Sequence, residues 1–458
     1  MKVLDGDKMS LRSFFEPSSV AVIGASREPG KLGHEIFKNI IDAGYKGNIY
    51  PVNPKAPDVL GVRCYPSIKQ VPGEVELAVV IVPARFVPSV ISDCGEKGVK
   101  AAVVISGGFG ETGPSGAELE RQLVETAKKA GIRIVGPNCQ GVNSTSVGLC
   151  ASWPLVRTKG SISVISQSGT VLAAIACWAE EEKVGVDKIV ALGNKCDVDE
   201  TELLDYFSNE PATRVIALYI EGVRDGRKFF RVARAAAEKK PIVVLKSGRT
   251  AKGALAVASH TRSLAGKDAI FDSVFKQAGV QRVSSVEELY DVCKAFASLP
   301  LPTGKDVAII TSSGGSGILA LDTCVELGMN APDLPPETRE KLKEKLPPEC
   351  ILRNPLDLTG SATSQMYDEA ITALDASGVI DAFVVIVGDP MPGISDVIVK
   401  HVSRGKTIVP VMLGGGKAEA EERKKLADSG VPVYSDPVRA VRALSACVRR
   451  ALWKSSSQ

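Results

Sequence analysis

The chain has 458 residues, a length that corresponds to about three domains of ordinary size, each able to bury its own core. Its 56 Lys and Arg stand against 53 Asp and Glu, and a net charge of +3 gives no excess of the kind that nucleic acid or an anionic membrane requires, although small anions need only local donors. The ten cysteines form no C-x-x-C pair, the N-terminus lacks the regions of a signal peptide, and no window approaches the roughly 18 apolar residues of a membrane span, so the chain reads as a cytoplasmic protein with reduced thiols.

Short Val/Ile-rich runs alternate with Gly-rich turns and amphipathic segments along the whole chain: 20–23, 77–82, 102–105, 162–165, 215–220, 242–245, 307–310, 383–387 and 408–412. Nearly continuous apolar strands between helices predict parallel sheets covered on both faces, an α/β protein whose ligands meet the turns at the carboxyl ends of the strands. Gly136–Gly141 closes the first sheet, and the proline-punctuated Ser298–Gly304 is a linker, which predicts domains at 1–145, 146–300 and 301–458. The second and third look like a faint duplication. Each opens with a strand and a Ser/Gly turn, Ser166–Thr170 in one and Thr311–Gly317 in the other, and each has a later strand that ends in an acid, Glu221 or Asp389.

The first turn, Gly24-Ala25-Ser26-Arg27 and on to Gly33, joins a strand to a helix at 34–41, and the backbone N–H groups at such a helix start suit a phosphate. It is not G-x-G-x-x-G, because Ser26 stands at the second glycine, and it is not a Walker loop, because Leu32 stands at the Ser/Thr. The second strand ends in Tyr50-Pro-Val-Asn53-Pro-Lys55, where a dinucleotide fold would carry an acid for the ribose; a lysine there fits an extra phosphate, so coenzyme A matches better than NAD, with NADP the weaker fit. Val82, Pro83 and the Ser106-Gly107-Gly108 start of the Gly-rich loop 106–113 are candidates to line the same crevice, the loop through free amides that would wrap a pantetheine arm or an anion.

In the middle domain Ser166, Gln167, Ser168, Gly169 and Thr170 precede an apolar helix and form a second anion site, suited to phosphate or a phosphorylated side chain. Histidine occurs only at 34, 260 and 401, and only His260 lies in a small-residue run, Ala258–Gly266, read here as a loop. A loop histidine is more often solvated than catalytic. On spacing alone, a salt bridge to Arg224 or Arg227 is the favoured reading of Glu221.

As a set, these segments resemble the nucleoside-diphosphate-forming acyl-CoA synthetases, the family that includes succinyl-CoA synthetase. The carriers are GAS at 24–26, PVNPK at 51–55, SGGFGETG at 106–113, GPNCQG at 136–141, SQSGT at 166–170, GNKCDVDE at 193–200, YIEGVRD at 219–225, KSGRT at 246–250 and SHTRSLAG at 259–266. The third domain, with TSSGGSG and NPLDLTG at 354–360, is similar to the extra domain of archaeal ADP-forming acetyl-CoA synthetases. The resemblance implies a Rossmann-like CoA-binding domain followed by two flavodoxin-like, succinyl-CoA synthetase-like domains. It implies that His260 carries a phosphoryl group from an acyl phosphate to ADP, that Glu221 orients the imidazole, and that Asn138 in GPNCQG belongs to the CoA site.

The chain shows no ATP site and no metal-ligand set. The resemblance therefore places ADP/ATP and Mg2+ on an ATP-grasp β subunit, in an α2β2 assembly, with acyl-CoA and phosphate as the small-molecule partners. The flanks of His260, Gly248–Ala258 and Gly266, read as a swinging segment, and Arg262 stands where family members often have glycine. The alternatives are a noncatalytic CoA- or acyl-CoA-sensing protein of the same fold and, further off, an NADP-dependent oxidoreductase.

Overall fold

The apolar runs form strands buried along their length, and they assemble into three sheets wound in the same way. The computed structural model describes residues 11–261 and 267–457 and divides into two compact units, residues 1–284 and 285–458. Among the described residues no helix is long and apolar enough to cross a membrane.

Unit 1 begins with β1 (Ser19–Ile23), α1 (Leu32–Asp42), β2 (Asn48–Val52), β3 (Leu77–Val80), α2 (Val87–Lys97), β4 (Ala101–Val104), α3 (Pro114–Ala130) and β5 (Arg133–Val135). The strands make a five-stranded sheet in the order β2-β1-β3-β4-β5, every pair parallel. Chain chemistry sets the helix limits. Proline stands in the first turn of α2 and α3, where its missing N–H has no helical partner to lose, and Gly98 and Gly131 end them at φ 84° and 69°. The winding reverses between β1 and β3, which opens a crevice at their carboxyl ends.

The second sheet of unit 1 starts with an antiparallel hairpin, β6 (Gly141–Ser144) and β7 (Leu149–Ser152), that the sequence did not announce. It continues through β8 (Ile162–Ser166), α4 (Gly169–Glu181), β9 (Lys188–Ala191), α5 (Glu200–Ser208), β10 (Val215–Ile220), α6 (Gly226–Lys239), β11 (Ile242–Lys246), α7 (Ala251–Thr261), α8 (Asp268–Ala278) and β12 (Gln281–Val283). The order is β12-β11-β10-β8-β9-β6-β7, parallel from β12 to β9 and closed by the antiparallel hairpin. Asp199 and Asp225 cap α5 and α6, each accepting two backbone N–H groups.

The segment around His260 departs from the loop expected. Residues 251–261 are helical, because alanines at 251, 254, 256 and 258 favour helix and Thr250 Oγ1 accepts the Gly253 N–H (3.1 Å) at its start. His260 lies in the last turn; its side chain, and Arg262 and Gly266, fall outside the described residues.

Polar contacts join the two sheets of unit 1. Arg133 Nε meets Asp197 at 2.9 Å and its Nη2 meets Glu202 at 2.7 Å, while Asn194 Nδ2 donates to Glu111 and Glu120 at 2.6 and 2.8 Å.

Unit 2 holds α9 (Val286–Ser298), β13 (Val307–Thr311), α10 (Gly314–Glu326), β14 (Leu356–Asp357), α11 (Ser364–Ala376), β15 (Ala382–Val387), α12 (Ile394–Val402), β16 (Ile408–Met412), α13 (Lys417–Asp428) and α14 (Pro437–Ser457). Its sheet runs β14-β13-β15-β16, all parallel, and Tyr434 bridges to Val411 on the outer edge. Taken from its first strand, this is the winding of β9-β8-β10-β11 in unit 1, as a duplication predicts. Arg439 ties α14 to α9 with two hydrogen bonds to Asp291, at 2.7 and 2.9 Å.

Candidate functional site

The crevice of the first sheet is shaped by glycine. Gly24 leaves β1 at φ 97° with its N–H on Val52 O (2.9 Å), and a Cβ there would collide with the Ile81 carbonyl. A Cβ on Gly33 would strike Gly24 O, so α1 sits directly against the turn. Asn53 braces it from the second strand: its Nδ2 donates to Ala25 O (2.7 Å) and its Oδ1 accepts the Lys55 N–H (2.8 Å). Ser26 Oγ accepts the Glu28 N–H (3.1 Å), and Ser26 O bonds His34 Nδ1 (3.0 Å), which gives that histidine a structural post.

These elements enclose a cavity of about 520 Å³ that Gly24, Asn53, Lys55, Val82 and Pro83 help line. Its walls are mostly aliphatic, Lys55 stands exposed at the rim, and Phe86, which the sequence reading missed, presents a ring 48 % exposed with the Arg85 guanidinium 4.7 Å from its centroid. An aromatic just beyond the Val82-Pro83 strand exit was the available signal.

Ala25, Ser26 and Arg27 build the turn without lining this cavity, and neither Ser106, Gly107, Gly108 nor Asn138 lines it. The loop amides expected to be open are in part taken: Glu111 Oε1 accepts from Gly108 N (2.6 Å) and Phe109 N (3.1 Å), and Glu120 accepts from Gly110 N (3.1 Å). Burial alone would raise the Glu111 carboxyl, but hydrogen bonds from Asn194 and the Gly108 amide hold it below the usual range. Ser106 Oγ donates to Val82 O (2.5 Å), and Asn138, at φ 55°, donates to Asn194 Oδ1 (3.3 Å) at the junction of the two sheets.

A second centre lies where β8, β10 and β11 end. The Ser168 hydroxyl accepts the Val171 N–H (3.5 Å) and caps α4, with Thr170 Oγ1 3.1 Å away and exposed, so Ser168, Gly169 and Thr170 form an open helix start. Gly169 lets the Gln140 side chain pack close, since a Cβ there would lie 2.7 Å from Gln140 Oε1 and displace it.

Ser166 and Gln167, expected beside them as phosphate donors, turn inward instead. Ser166 Oγ donates to Ser168 O (2.6 Å) and accepts the Ser168 N–H (3.1 Å). Gln167 Oε1 accepts the N–H groups of Glu221 (2.7 Å) and Gly222 (3.2 Å), and its Nε2 donates to Glu200 Oε2 (3.0 Å) and Gly222 O (2.9 Å). With both ends of the amide used, Gln167 fixes the exit of β10 to the exit of β8. Glu221 itself is 4 % exposed. Arg224, the salt-bridge partner that spacing offered it, has its guanidinium on the Lys195 carbonyl.

Two further side chains went unread. Lys195, held at φ 47°, donates to Glu200 Oε2 (3.0 Å) and Gly222 O (2.6 Å). Lys246, paired in register with Ile220, is 1 % exposed, with its ammonium 4.7 Å from the Phe271 centroid and its amine pushed down by burial.

A glycine-shaped crevice at the edge of one parallel sheet and an open helix start at the edge of the next, carried on repeated windings, fit a CoA-ligase type of protein. Three family models match in sequence: a CoA binding domain at 18–145, a succinyl-CoA ligase like flavodoxin domain at 159–296 and a ligase-CoA domain at 307–451. The chain is 42% identical to the ADP-forming acetate–CoA ligase I subunit alpha of Pyrococcus furiosus, over 98% of this chain and 99% of that one. It is 40% identical to the ADP-forming acetate–CoA ligase of Methanocaldococcus jannaschii, over 98% of this chain but 64% of that longer protein. Among solved structures it is similar to the acetyl-coenzyme A synthetase 1 of Ca. Korarchaeum cryptofilum in complex with phosphate and ADP, with a TM-score of 0.90, 38% identity and 97% of both chains covered. The chain belongs to the ADP-forming acetate–CoA ligase family.

Proposed function

We propose that this chain is the α subunit of an ADP-forming acyl-CoA synthetase, acting on acyl-CoA, ADP and phosphate to give the carboxylic acid, ATP and CoA. The observation that carries the reading is the joining of the open helix start Ser168–Thr170 to Glu221 through one glutamine, at the strand ends of a fold whose first domain holds an apolar crevice.

The crevice fits CoA in shape and chemistry. Aliphatic walls and the Phe86 face suit the pantetheine and adenine, the glycines let the chain backbone approach a pyrophosphate, and Lys55 at the rim suits the extra phosphate. In the first step phosphate oxygen attacks the thioester carbon; the C–S bond breaks, CoA leaves as the thiol, and an acyl phosphate remains. An imidazole nitrogen of His260 then attacks phosphorus and the carboxylate departs. A neutral imidazole is nucleophilic near neutral pH, and its phosphoramidate retains the transfer potential for ADP. Glu221 orients that ring and balances the charge it develops, and the amides and hydroxyls of Ser168–Thr170 hold the phosphoryl oxygens. ADP and Mg2+ bind an ATP-grasp module on a partner polypeptide, in an α2β2 enzyme. A match along 99% of a relative named subunit alpha supports the separate partner. The acyl group is taken as a small monocarboxylate.

The test uses the enzyme reconstituted with its partner. Labelled phosphate supplied with acyl-CoA should enter this chain as an acid-labile, alkali-stable bond, discharge to ATP on adding ADP, and be absent from His260→Ala. CoA binding without label in any acyl-CoA would replace the enzyme reading with a CoA-sensing one.

A further inference from the structure

Beneath Glu221 lies a closed polar network that neither the duplicated fold nor the chemistry above explains by itself. Glu200 is 0 % exposed and Lys195 is 6 % exposed, yet both are charged types that rarely lie so deep without a reason. Lys195 Nζ meets Glu200 Oε2 at 3.0 Å, Gln167 Nε2 meets the same oxygen at 3.0 Å, and both donors converge again on the Gly222 carbonyl, at 2.6 and 2.9 Å. Gln167 Oε1 takes the two N–H groups of that same stretch, from Glu221 and Gly222. The peptide joining Glu221 to Gly222, at the exit of β10, is thus gripped at its N–H and, on its far side, at the next carbonyl, by side chains from two other strand exits, Gln167 after β8 and Lys195 after β9. Glu200 Oε1 has no hydrogen-bond partner among the described residues, so the arrangement leaves buried polar capacity unused, which costs stability rather than adding it.

Unit 2 shows that the fold does not need this device. There the equivalent turn keeps the same backbone bonds: Ser312 N donates to Ile386 O (3.2 Å) as Gln167 N does to Tyr219 O (3.1 Å), and Leu358 N donates to Thr311 O as Leu192 N does to Ser166 O, both at 2.8 Å. A single Ser312 hydroxyl accepts the Gly388 N–H at 2.9 Å, the counterpart of the Glu221 N–H that Gln167 Oε1 accepts. Gly388 stands at the Glu221 position and carries no side chain to aim; Asp389, the acid expected to match Glu221, falls one residue later, at the Gly222 position. The network is present where a carboxylate must be placed and replaced by one hydroxyl where none is.

We propose that Lys195, Glu200 and Gln167 are positioning residues for phosphoryl transfer, a buried lock that holds the 221–222 peptide and so fixes the Glu221 carboxylate relative to the start of α4. The inference rests on the reading of Glu221 given above. None of the three touches a reacting atom; they act by denying Glu221 the displacement of about 1 Å that costs up to about a hundredfold in rate.

The test compares Lys195→Met and Glu200→Gln with Glu221→Gln and with the double variant Lys195→Met/Glu221→Gln, in the reconstituted enzyme at matched folded fraction. Lys195→Met should lower kcat and the rate of His260 labelling about tenfold or more, leave CoA affinity and the KM for acyl-CoA within about twofold, and add no further loss in the Glu221→Gln background. Lys195→Arg should restore part of the rate. If Lys195→Met fails to fold, Glu200→Gln, which retains an acceptor oxygen, carries the comparison. Full activity in Lys195→Met or Glu200→Gln while Glu221→Gln is impaired would overturn the lock alone, as would losses that multiply in the double variant. Normal activity in Glu221→Gln would remove the reading of Glu221 and the lock with it.

Discussion

The turns after β8 and β13 are two versions of one scaffold. In each, the hydroxyl of the last strand residue, Ser166 or Thr311, accepts the N–H of the residue two further on and donates to its carbonyl. In each, a helix then starts with glycine, and the neighbouring strand leaves through a left-handed residue, Gly193 at φ 54° or Thr359 at φ 62°. Only the side chains differ. Unit 1 fills the space with a glutamine, a lysine and a buried glutamate; unit 2 fills it with one serine. The backbone bonds are common to both turns, and the additional groups are confined to unit 1, which is the difference the proposed lock accounts for.

Making unit 1 resemble unit 2 should break that difference most sharply. Gln167→Ser removes four hydrogen bonds and leaves the Glu221 and Gly222 N–H groups and Glu200 short of partners. We expect a loss of about 3 kcal/mol, seen as a fall in Tm of about 5–10 °C, together with a kcat reduced at least about tenfold. A variant with unaltered turnover and melting would mean that the serine scaffold suffices in both places.

Acid separates the units in a different way. Burial raises the Glu200 carboxyl despite Lys195, so its proton is bound more tightly in the folded chain, and folding of unit 1 gains from that group as pH falls through its folded pKa toward 4.5. In unit 2 burial would also raise Glu422, but Lys425 (2.8 Å) and the Ser395 hydroxyl and amide (2.5 and 2.9 Å) hold it down to about 2. Glu422 therefore stabilises unit 2 fully above about pH 4.5, and that contribution is lost as pH falls toward 2. Hydrogen exchange resolved by segment should show residues 285–458 losing protection over that window and Glu422→Gln flattening the loss. An unchanged pH slope in the variant would assign the acid sensitivity to other groups.

How much of this was legible follows from where each signal resides. The parallel strands, the Gly24 turn and the two Ser/Gly turns are local patterns, apolar runs and glycines, and the structure has them where the sequence put them. The β6–β7 hairpin was invisible because its strands carry Asn143, Ser144 and Ser152, buried polar residues of which only Ser152 Oγ donating to Asn143 Oδ1 (2.6 Å) bridges the strands while Asn143 Nδ2 has no partner among the described residues, so no apolar alternation marks them. The segment before His260 was misread because small residues suggest a flexible loop, whereas its alanines favour a helix. The lock was unreadable for a third reason: Gln167, Lys195, Glu200 and Gly222 meet only after three strands have been laid side by side, and charged residues are expected outside until a partner is seen.

The smallest effect tests the other copy. Ser312→Ala deletes the side-chain contact to the Gly388 N–H, and the buried group packed at that turn is neutral, the Tyr367 hydroxyl donating to Ile386 O (2.6 Å), rather than a lysine–glutamate pair like the one around Gly222. A neutral hydrogen bond of this kind is worth about 1 kcal/mol, so melting should fall by only about 2–4 °C, with the rate of His260 labelling held within about twofold. That pairing of a small stability loss with an intact rate is what a purely architectural contact predicts. A labelling rate that fell as far as in Gln167→Ser would show that both strand exits, and not one, are tuned for the transfer, and the difference between the two turns would then be one of side-chain size and not of role.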